Sequence, residues 1–327
     1  MKILITGGAG FIGSNFTRML LTDQFSDVLQ VEQVTVLDKL TYAGNLSNLD
    51  SVASDHRFRF VNGDICDYQI VDKLTKECDT VINFAAESHV DRSIASSNEF
   101  IETNVKGVGN LLENCVSNKV RVFVQISTDE VYGSIATGSW TEESPVLPNS
   151  PYAASKGAAD LLVMAFSKTH GLDTRITRCC NNYGPFQYPE KVIPLFITRL
   201  LNGKKIPIYG LGDNVREWIH VDDHCRAIAL TIARGKPGKI YNIAGDSELS
   251  NLDLGRLILA EFKQGEAAIE FVEDRKGHDQ RYSLDGTVAR EELGFIPSVN
   301  FETGIHETVE WYRNHTAWTE SLNRINT

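Results

Sequence analysis

The chain contains no apolar run that reaches the roughly 18 residues a membrane-spanning helix requires. Its first residues, MKILITGGAG, pass from a short apolar stretch straight into glycines, without the long hydrophobic region and small-residue cleavage site of a secretory leader. Lys and Arg are outnumbered by Asp and Glu, 32 to 43, and the net charge of -11 excludes a general nucleic-acid binder, which needs clustered cations. The six cysteines (Cys66, Cys78, Cys115, Cys179, Cys180, Cys225) lack metal-ligand spacing; they read as reduced structural thiols, and no metal site is expected. Repeats, low-complexity tracts and long charge runs are missing as well. What remains is a soluble, cytoplasmic globular protein, whose 327 residues at 42% apolar composition suffice for one large domain or two modest ones. An anionic ligand would need a local basic patch.

Strand-like runs KILIT, QVTVLD, FRFVNGD, TVINFA, VRVFVQIS and DTRITRCC alternate with helix-length stretches through the first half. That alternation predicts an α/β protein with a doubly wound parallel sheet, helices covering both faces. From Tyr183 the chain turns rich in Pro, Gly and aromatics (YGPFQYPEK), while EWIHVDDH and KIYNIAGD look like short strands returning to the sheet. The expected division is a first domain of residues 1–182 plus 217–245 and a smaller, discontinuous one of 183–216 plus 246–327.

After the first strand, Gly7, Gly10 and Gly13 are spaced G-x-x-G-x-x-G ahead of the helical SNFTRMLL. Glycines there permit a tight turn and close backbone approach, and the helix N-terminus offers free N–H groups to a pyrophosphate. The second strand ends at Asp38, where a carboxylate can bind a ribose diol and repel a 2'-phosphate, so NAD is expected over NADP; Lys39 beside it works against that preference. Asp64 and Ile65 in NGDICD fall where the adenine would lie, and Ala85 and Ala86 in NFAAESHVD beneath the dinucleotide. This βαβ context is that of a Rossmann domain.

The stretch VQISTDEVYG ends an apolar strand in Thr128, Asp129 and Glu130, although acidic groups are costly beside a core. One explanation is an acidic helix N-terminus capped by Thr128. The other is chemistry: adjacent side chains of a straight strand point to opposite faces, so both acids reach one substrate only if the chain turns at once into a short helix. Further on, SPYAASKGAAD places Tyr152 and Lys156 on one helical face, where the ammonium and a nicotinamide's positive charge would lower the phenol's pKa.

The glycine loop, Thr128, Tyr152 and Lys156 together resemble the extended short-chain dehydrogenase/reductase family. STDEVYG, AAESHVDRSI, NNYGPFQYPEK, REWIHVDDH and DRKGHDQRY look like the motifs of its dTDP-glucose 4,6-dehydratases, with matches from Lys2 to Tyr282. The resemblance implies C4 oxidation of dTDP-glucose through Tyr152 and Lys156, with Thr128 on the C4 oxygen. It then implies removal of the C5 proton by Glu130, protonation of the leaving C6 hydroxyl by Asp129, and hydride return to C6. It adds Phe11, Ile12, Thr41, Thr103 and Asn182 to the NAD site. For the substrate it implies Arg216, Asn251, Arg275 and His278 at the diphosphate, Asn181, Glu190 and Lys191 at the sugar or nearby phosphate, Pro207 and Tyr209 at the base, and Ser88 and His89 where the sugar enters. Lys276 and Cys180 stand where the family often has proline and serine. The helices around Val105, Leu111, Leu112, Leu162 and Phe166 either pack on the sheet or, as in the family, also pair two subunits into a homodimer. Three alternatives stay open: a dehydratase of another nucleotide sugar, a 4-epimerase, which needs no acid pair, and a non-catalytic nucleotide-sensing protein.

Overall fold

The structure, a computed structural model, describes residues 1–274 and 277–325. The first half runs β1 (Lys2–Thr6), α1 (Phe11–Leu21), β2 (Gln33–Asp38), β3 (Phe58–Asn62), α2 (Tyr68–Thr75), β4 (Thr80–Asn83), α3 (Val90–Ala95), α4 (Asn98–Ile101), α5 (Val108–Ser117) and β5 (Val122–Thr128). There follow α6 (Pro151–His170), β6 (Asp173–Cys179), β7 (Asn181–Tyr183), α7 (Val192–Leu201), β8 (Ile206–Tyr209), β9 (Val215–His220), α8 (Val221–Arg234) and β10 (Lys239–Ile243). The chain closes with β11 (Ser247–Ser250), α9 (Asn251–Glu261), β12 (Ile269–Val272), α10 (Phe301–Asn314) and α11 (Thr316–Ile325).

Seven strands form one parallel sheet in the order β10-β6-β5-β4-β1-β2-β3. Side-chain alternation along β1 explains why both faces are wound. Ile3 and Ile5 point into a core with Phe16 and Leu20 of α1 and Ile228 of α8, while Leu4 points into the opposite core with Leu111 and Leu112 of α5 and Val163 of α6. Each strand thus spends successive residues on opposite helical layers, and both layers are apolar. The strand order reverses between β1 and β4, which opens a crevice at their C-terminal ends.

One expectation fails. β9, which carries EWIH, does not return to the large sheet; it pairs parallel with β7 and antiparallel with β11 in a separate three-stranded sheet, because β10 occupies the edge position beside β6. β8 and β12 form a further two-stranded sheet, and α7, α9 and α10 pack a third core around Phe196, Leu254 and Val309. Cys180 also lies just beyond the strand it was read into, since β6 ends at Cys179. All six cysteines are free. No described helix is long and apolar enough to cross a membrane.

Candidate active site

The C-terminal ends of the sheet and the smaller sheets enclose a cleft of about 520 Å³. Every candidate residue within the described part of the chain lines it; Arg275, and the departure at Lys276, lie outside the described residues.

On the cofactor side, α1 begins at Phe11, so Phe11, Ile12 and Gly13 form its first turn and Gly10 its N-cap. Gly7 adopts φ +69°. A Cβ at Gly13 would lie 2.5 Å from the Gly7 carbonyl oxygen, and one at Gly7 2.5 Å from the Ala85 nitrogen. The backbone therefore comes together more closely than any side chain permits, leaving N–H groups bare at a helix start: the cradle a pyrophosphate requires. Asp38 accepts hydrogen bonds from Ala9 N (2.9 Å) and Leu40 N (2.8 Å), stapling β2 to that turn, and burial pushes its pKa up. Lys39, which could have favoured a 2'-phosphate, is held 2.7 Å from Asp64. The donor set fits NAD. Substituting Gly13→Ala should cost about 1–3 kcal/mol of strain. The expected result is a lower unfolding temperature and a variant that NAD no longer stabilises, checked by thermal unfolding with and without the cofactor.

Thr128 ends β5 in an extended conformation, and residues Asp129–Tyr132 turn at once into a 3-10 helix. The cap and the turn are both present. Thr128 Oγ1 caps the turn, accepting from Glu130 N at 3.3 Å, and it donates to Asp129 Oδ1 at 3.1 Å. Asp129 is 1% exposed, and its Oδ2 has no hydrogen-bond partner among the described residues. Burial first, then the charge of Glu130, raise its pKa well above the ordinary carboxyl range, which favours the protonated form. Glu130, half-buried, stays beside it.

Helix α6 starts at Pro151 with Ser150 as cap, its Oγ accepting from Ala153 N at 3.1 Å, and so carries Tyr152 and Lys156 one turn apart on a buried face. Lys156 Nζ donates to the Ile126 carbonyl at 2.6 Å, and burial brings its pKa down to about 8. For Tyr152 the expectation needs correcting. Burial first, then the neighbouring carboxyl groups of Glu130 and Asp129, push the phenol well above its ordinary pKa; a hydrogen bond with Thr128 works the other way without offsetting them. The remaining source of that lowering is the positive charge of an oxidised nicotinamide.

The substrate side is partly self-bonded. Arg216 stacks over Tyr282 (4.5 Å to the ring centre) and donates to the carbonyls of Val215 (2.8 Å) and Asp279 (2.9 Å). His278 faces Asp274 at 2.8 Å and stands edge-on to Tyr209. Lys191 Nζ donates to the Ser88 carbonyl at 2.7 Å, and Glu190 lies 3.5 Å from both His89 and Arg92. Asn182 bonds Cys180 O (3.0 Å), Cys179 Sγ (3.2 Å) and the His224 ring (2.8 Å); Asn251 opens α9, its N–H on Asn214 O at 3.0 Å. Sequence reasoning missed Arg92, whose guanidinium lies 3.8 Å from the Tyr42 ring centre and 3.5 Å from Glu190 at the cleft, and the buried Asp160–Arg178 pair. Among the described residues no cluster of metal-ligating side chains occurs.

A doubly wound sheet with a glycine cradle, a Tyr–Lys pair and a fully buried acid beside a half-buried one defines a dinucleotide-dependent oxidoreductase scaffold fitted for elimination. The chain belongs to the GDP-mannose 4,6 dehydratase family, whose model matches residues 4–308. It is 54% identical over 322 residues to a dTDP-glucose 4,6-dehydratase of Streptomyces niveus, covering 98% of this chain and 96% of that one. A solved dTDP-glucose 4,6-dehydratase of Streptomyces venezuelae, with NAD and dTDP bound, superposes with a TM-score of 0.97 at 55% identity, covering 98% of this chain and all of that one. A third, from Bacillus anthracis in complex with NAD, gives a TM-score of 0.90 at 43% identity over 98% and 99%.

Proposed function

We infer that this chain is an NAD-dependent dTDP-glucose 4,6-dehydratase, which converts dTDP-glucose into dTDP-4-keto-6-deoxyglucose and water for deoxysugar biosynthesis. The observation that carries the reading is Asp129: a fully buried acid, its pKa raised by that burial, next to Glu130, in the same cleft as Tyr152, Lys156 and the glycine cradle. A 4-epimerase uses the second set alone and has no task for the first.

In this reading Tyr152 takes the proton of the C4 hydroxyl, whose oxygen Thr128 holds. When bound, NAD supplies the acceptor for the C4 hydride and the donor that returns it to C6. The new 4-keto group acidifies the C5 proton; Glu130 removes it while Asp129 protonates the departing C6 hydroxyl as water. Two proton transfers in opposite directions need one carboxylate and one carboxylic acid, and burial favours the acid form at Asp129. Lys156, one helical turn from Tyr152, is assigned to the same C4 step. Arg216, Asn251 and His278, with Arg275, are assigned to the diphosphate, where forked guanidinium donors suit phosphate oxygens. Asn181, Glu190, Lys191, Ser88 and His89 are assigned to the sugar, Pro207 and Tyr209 to the base. The division into cofactor and substrate domains, expected at 182/183, 216/217 and 245/246, belongs to the same proposal, with β7 and β9, which the first two boundaries cut, going whole to the substrate side because they share its three-stranded sheet.

We place the enzyme in the cytoplasm as a homodimer. Leu111 and Leu112 are fully buried in the chain's own core, so they are not free to pair subunits. Ile101, Leu161 and Met164, on α4 and α6, are 53%, 55% and 40% exposed, which is the apolar face a partner's equivalent helices would cover. Leu161→Glu should convert a dimer to a monomer in sedimentation equilibrium.

The test of the activity is incubation with dTDP-glucose and NAD in heavy water, followed by mass spectrometry and NMR. A 4-keto-6-deoxy product carrying deuterium at C5 is expected. Substrate bound without loss of water overturns the reading in favour of another nucleotide sugar or a sensing protein.

A further inference from the structure

The end of β5 is tied to α6 residue by residue. The Ile126 carbonyl accepts from Lys156 Nζ at 2.6 Å, Ser127 Oγ donates to Asp160 Oδ2 at 3.0 Å, and Thr128 then starts the turn that carries Asp129 and Glu130. Asp160 stands one helical turn beyond Lys156 and two beyond Tyr152, fully buried. Its Oδ2 also accepts from Arg178 Nε at 2.9 Å, and its Oδ1 has no hydrogen-bond partner among the described residues. Arg178, on β6 and 1% exposed, lies 4.7 Å from the centre of the Tyr132 ring, whose hydroxyl donates to Asn242 at 2.8 Å. Sealed ion pairs of this kind contribute little net stability, since desolvation offsets most of their attraction. A fully buried pair inside the catalytic wall therefore calls for another role.

Resting on the dehydratase reading, we propose that Asp160 is a positioning residue: with Arg178 as counter-ion it locks the oxidation half of the site, on α6, to the elimination half, after β5, and holds the charge on Lys156.

The charged and titratable groups on the elements packed against α6 are Asp91 and Arg92 of α3, Glu99 of α4, and Glu102 and Lys106 of the segment Glu102–Gly107. To these add Glu113 and Cys115 of α5, Asp129, Glu130 and Tyr132 after β5, and Asp173, Arg175, Arg178 and Cys179 of β6; Tyr152 shares the helix. Against burial, which lowers the lysine, Asp160 is the group that raises it. Removing that one negative charge moves the lysine's proton loss to lower pH. Removing the Arg178 charge instead leaves Asp160 uncompensated and moves it to higher pH.

The experiment is the pH dependence of kcat for four variants with dTDP-glucose: Asp160→Asn, Arg178→Gln, the double variant and Ser127→Ala. In Asp160→Asn and in the double variant the alkaline limb should shift down by about one pH unit. In Arg178→Gln it should shift up, and in Ser127→Ala, which cuts the tether but keeps the charge, kcat should fall with the limb unmoved. The double variant leaves no charge buried alone and is the one expected to fold if a single one does not. An unmoved limb in the double variant, or a loss of unfolding temperature with the limb unmoved in every folded variant, overturns the proposal. A wild-type protein that releases no water fails the dehydratase reading instead, and the two failures are distinct.

Discussion

Glu130→Gln should leave oxidation at C4 running and stop the loss of water. In the proposed mechanism the two halves of the reaction use different groups: Tyr152 and Lys156 on α6 for the C4 hydroxyl, and Glu130, on the turn after β5, for the C5 proton. An amide cannot take that proton, so turnover should fall by roughly 10²–10⁴, the usual worth of a positioned base. Because the side chain is half-buried at the cleft and Gln is its isostere, the fold should survive, and circular dichroism should match the wild type. The diagnostic is the partition. Rapid mixing should show reduced-nicotinamide absorbance appearing at close to the wild-type rate and then persisting, and C5 exchange with heavy water should vanish. Equal slowing of both phases would mean that Glu130 serves the oxidation step, and wild-type turnover would remove it from the mechanism.

Local signals made most of the scaffold legible. The glycine spacing, the strand before it and Asp38 at the end of the next strand are contiguous features, and each fixes its own backbone geometry. Asp129 and Glu130 were readable because two acids at the end of a buried strand violate the expected pattern, and the turn they require does follow at Asp129–Tyr132. What stayed hidden depends on distant partners. Lys39 looked like a cation free for a phosphate until Asp64, on the loop after β3, came to 2.7 Å. Asp160 read as an ordinary helix residue, since its partners Ser127 and Arg178 lie on two other strands. β9 was misassigned because an apolar run does not say which sheet edge remains open. The Tyr152 pKa was misjudged for a related reason: Lys156 is visible at i+4, but the desolvation and the acidic neighbours Glu130 and Asp129 that raise it come only with the fold.

Asp129→Asn should give a protein that is more stable and nearly inactive. Asparagine reproduces the neutral carboxylic acid: its carbonyl oxygen can still accept from Thr128 Oγ1, and its amide replaces the unpartnered Oδ2 with a group that cannot ionise. It cannot donate a proton to the leaving C6 hydroxyl, so turnover should fall by roughly 10²–10⁴. The stability change has a definite sign. The folded protein holds the Asp129 proton to a higher pH than the unfolded chain does. Below about pH 4, near the ordinary carboxyl pKa, both states are protonated and the variant and wild type should unfold alike. As pH rises above that value the unfolded wild type ionises while the folded one does not, so the wild type loses stability progressively until its folded-state pKa is passed. The variant escapes that loss. Its unfolding temperature should therefore exceed the wild type's at neutral pH, with a gap that widens as pH rises above the ordinary carboxyl range, at roughly 2 °C per kcal/mol for a chain of this size. Parallel thermal scans at increasing pH settle it. A variant less stable than the wild type at pH 7 would mean that Asp129 is ionised in the fold, and the acid and base of the elimination would have to be reassigned.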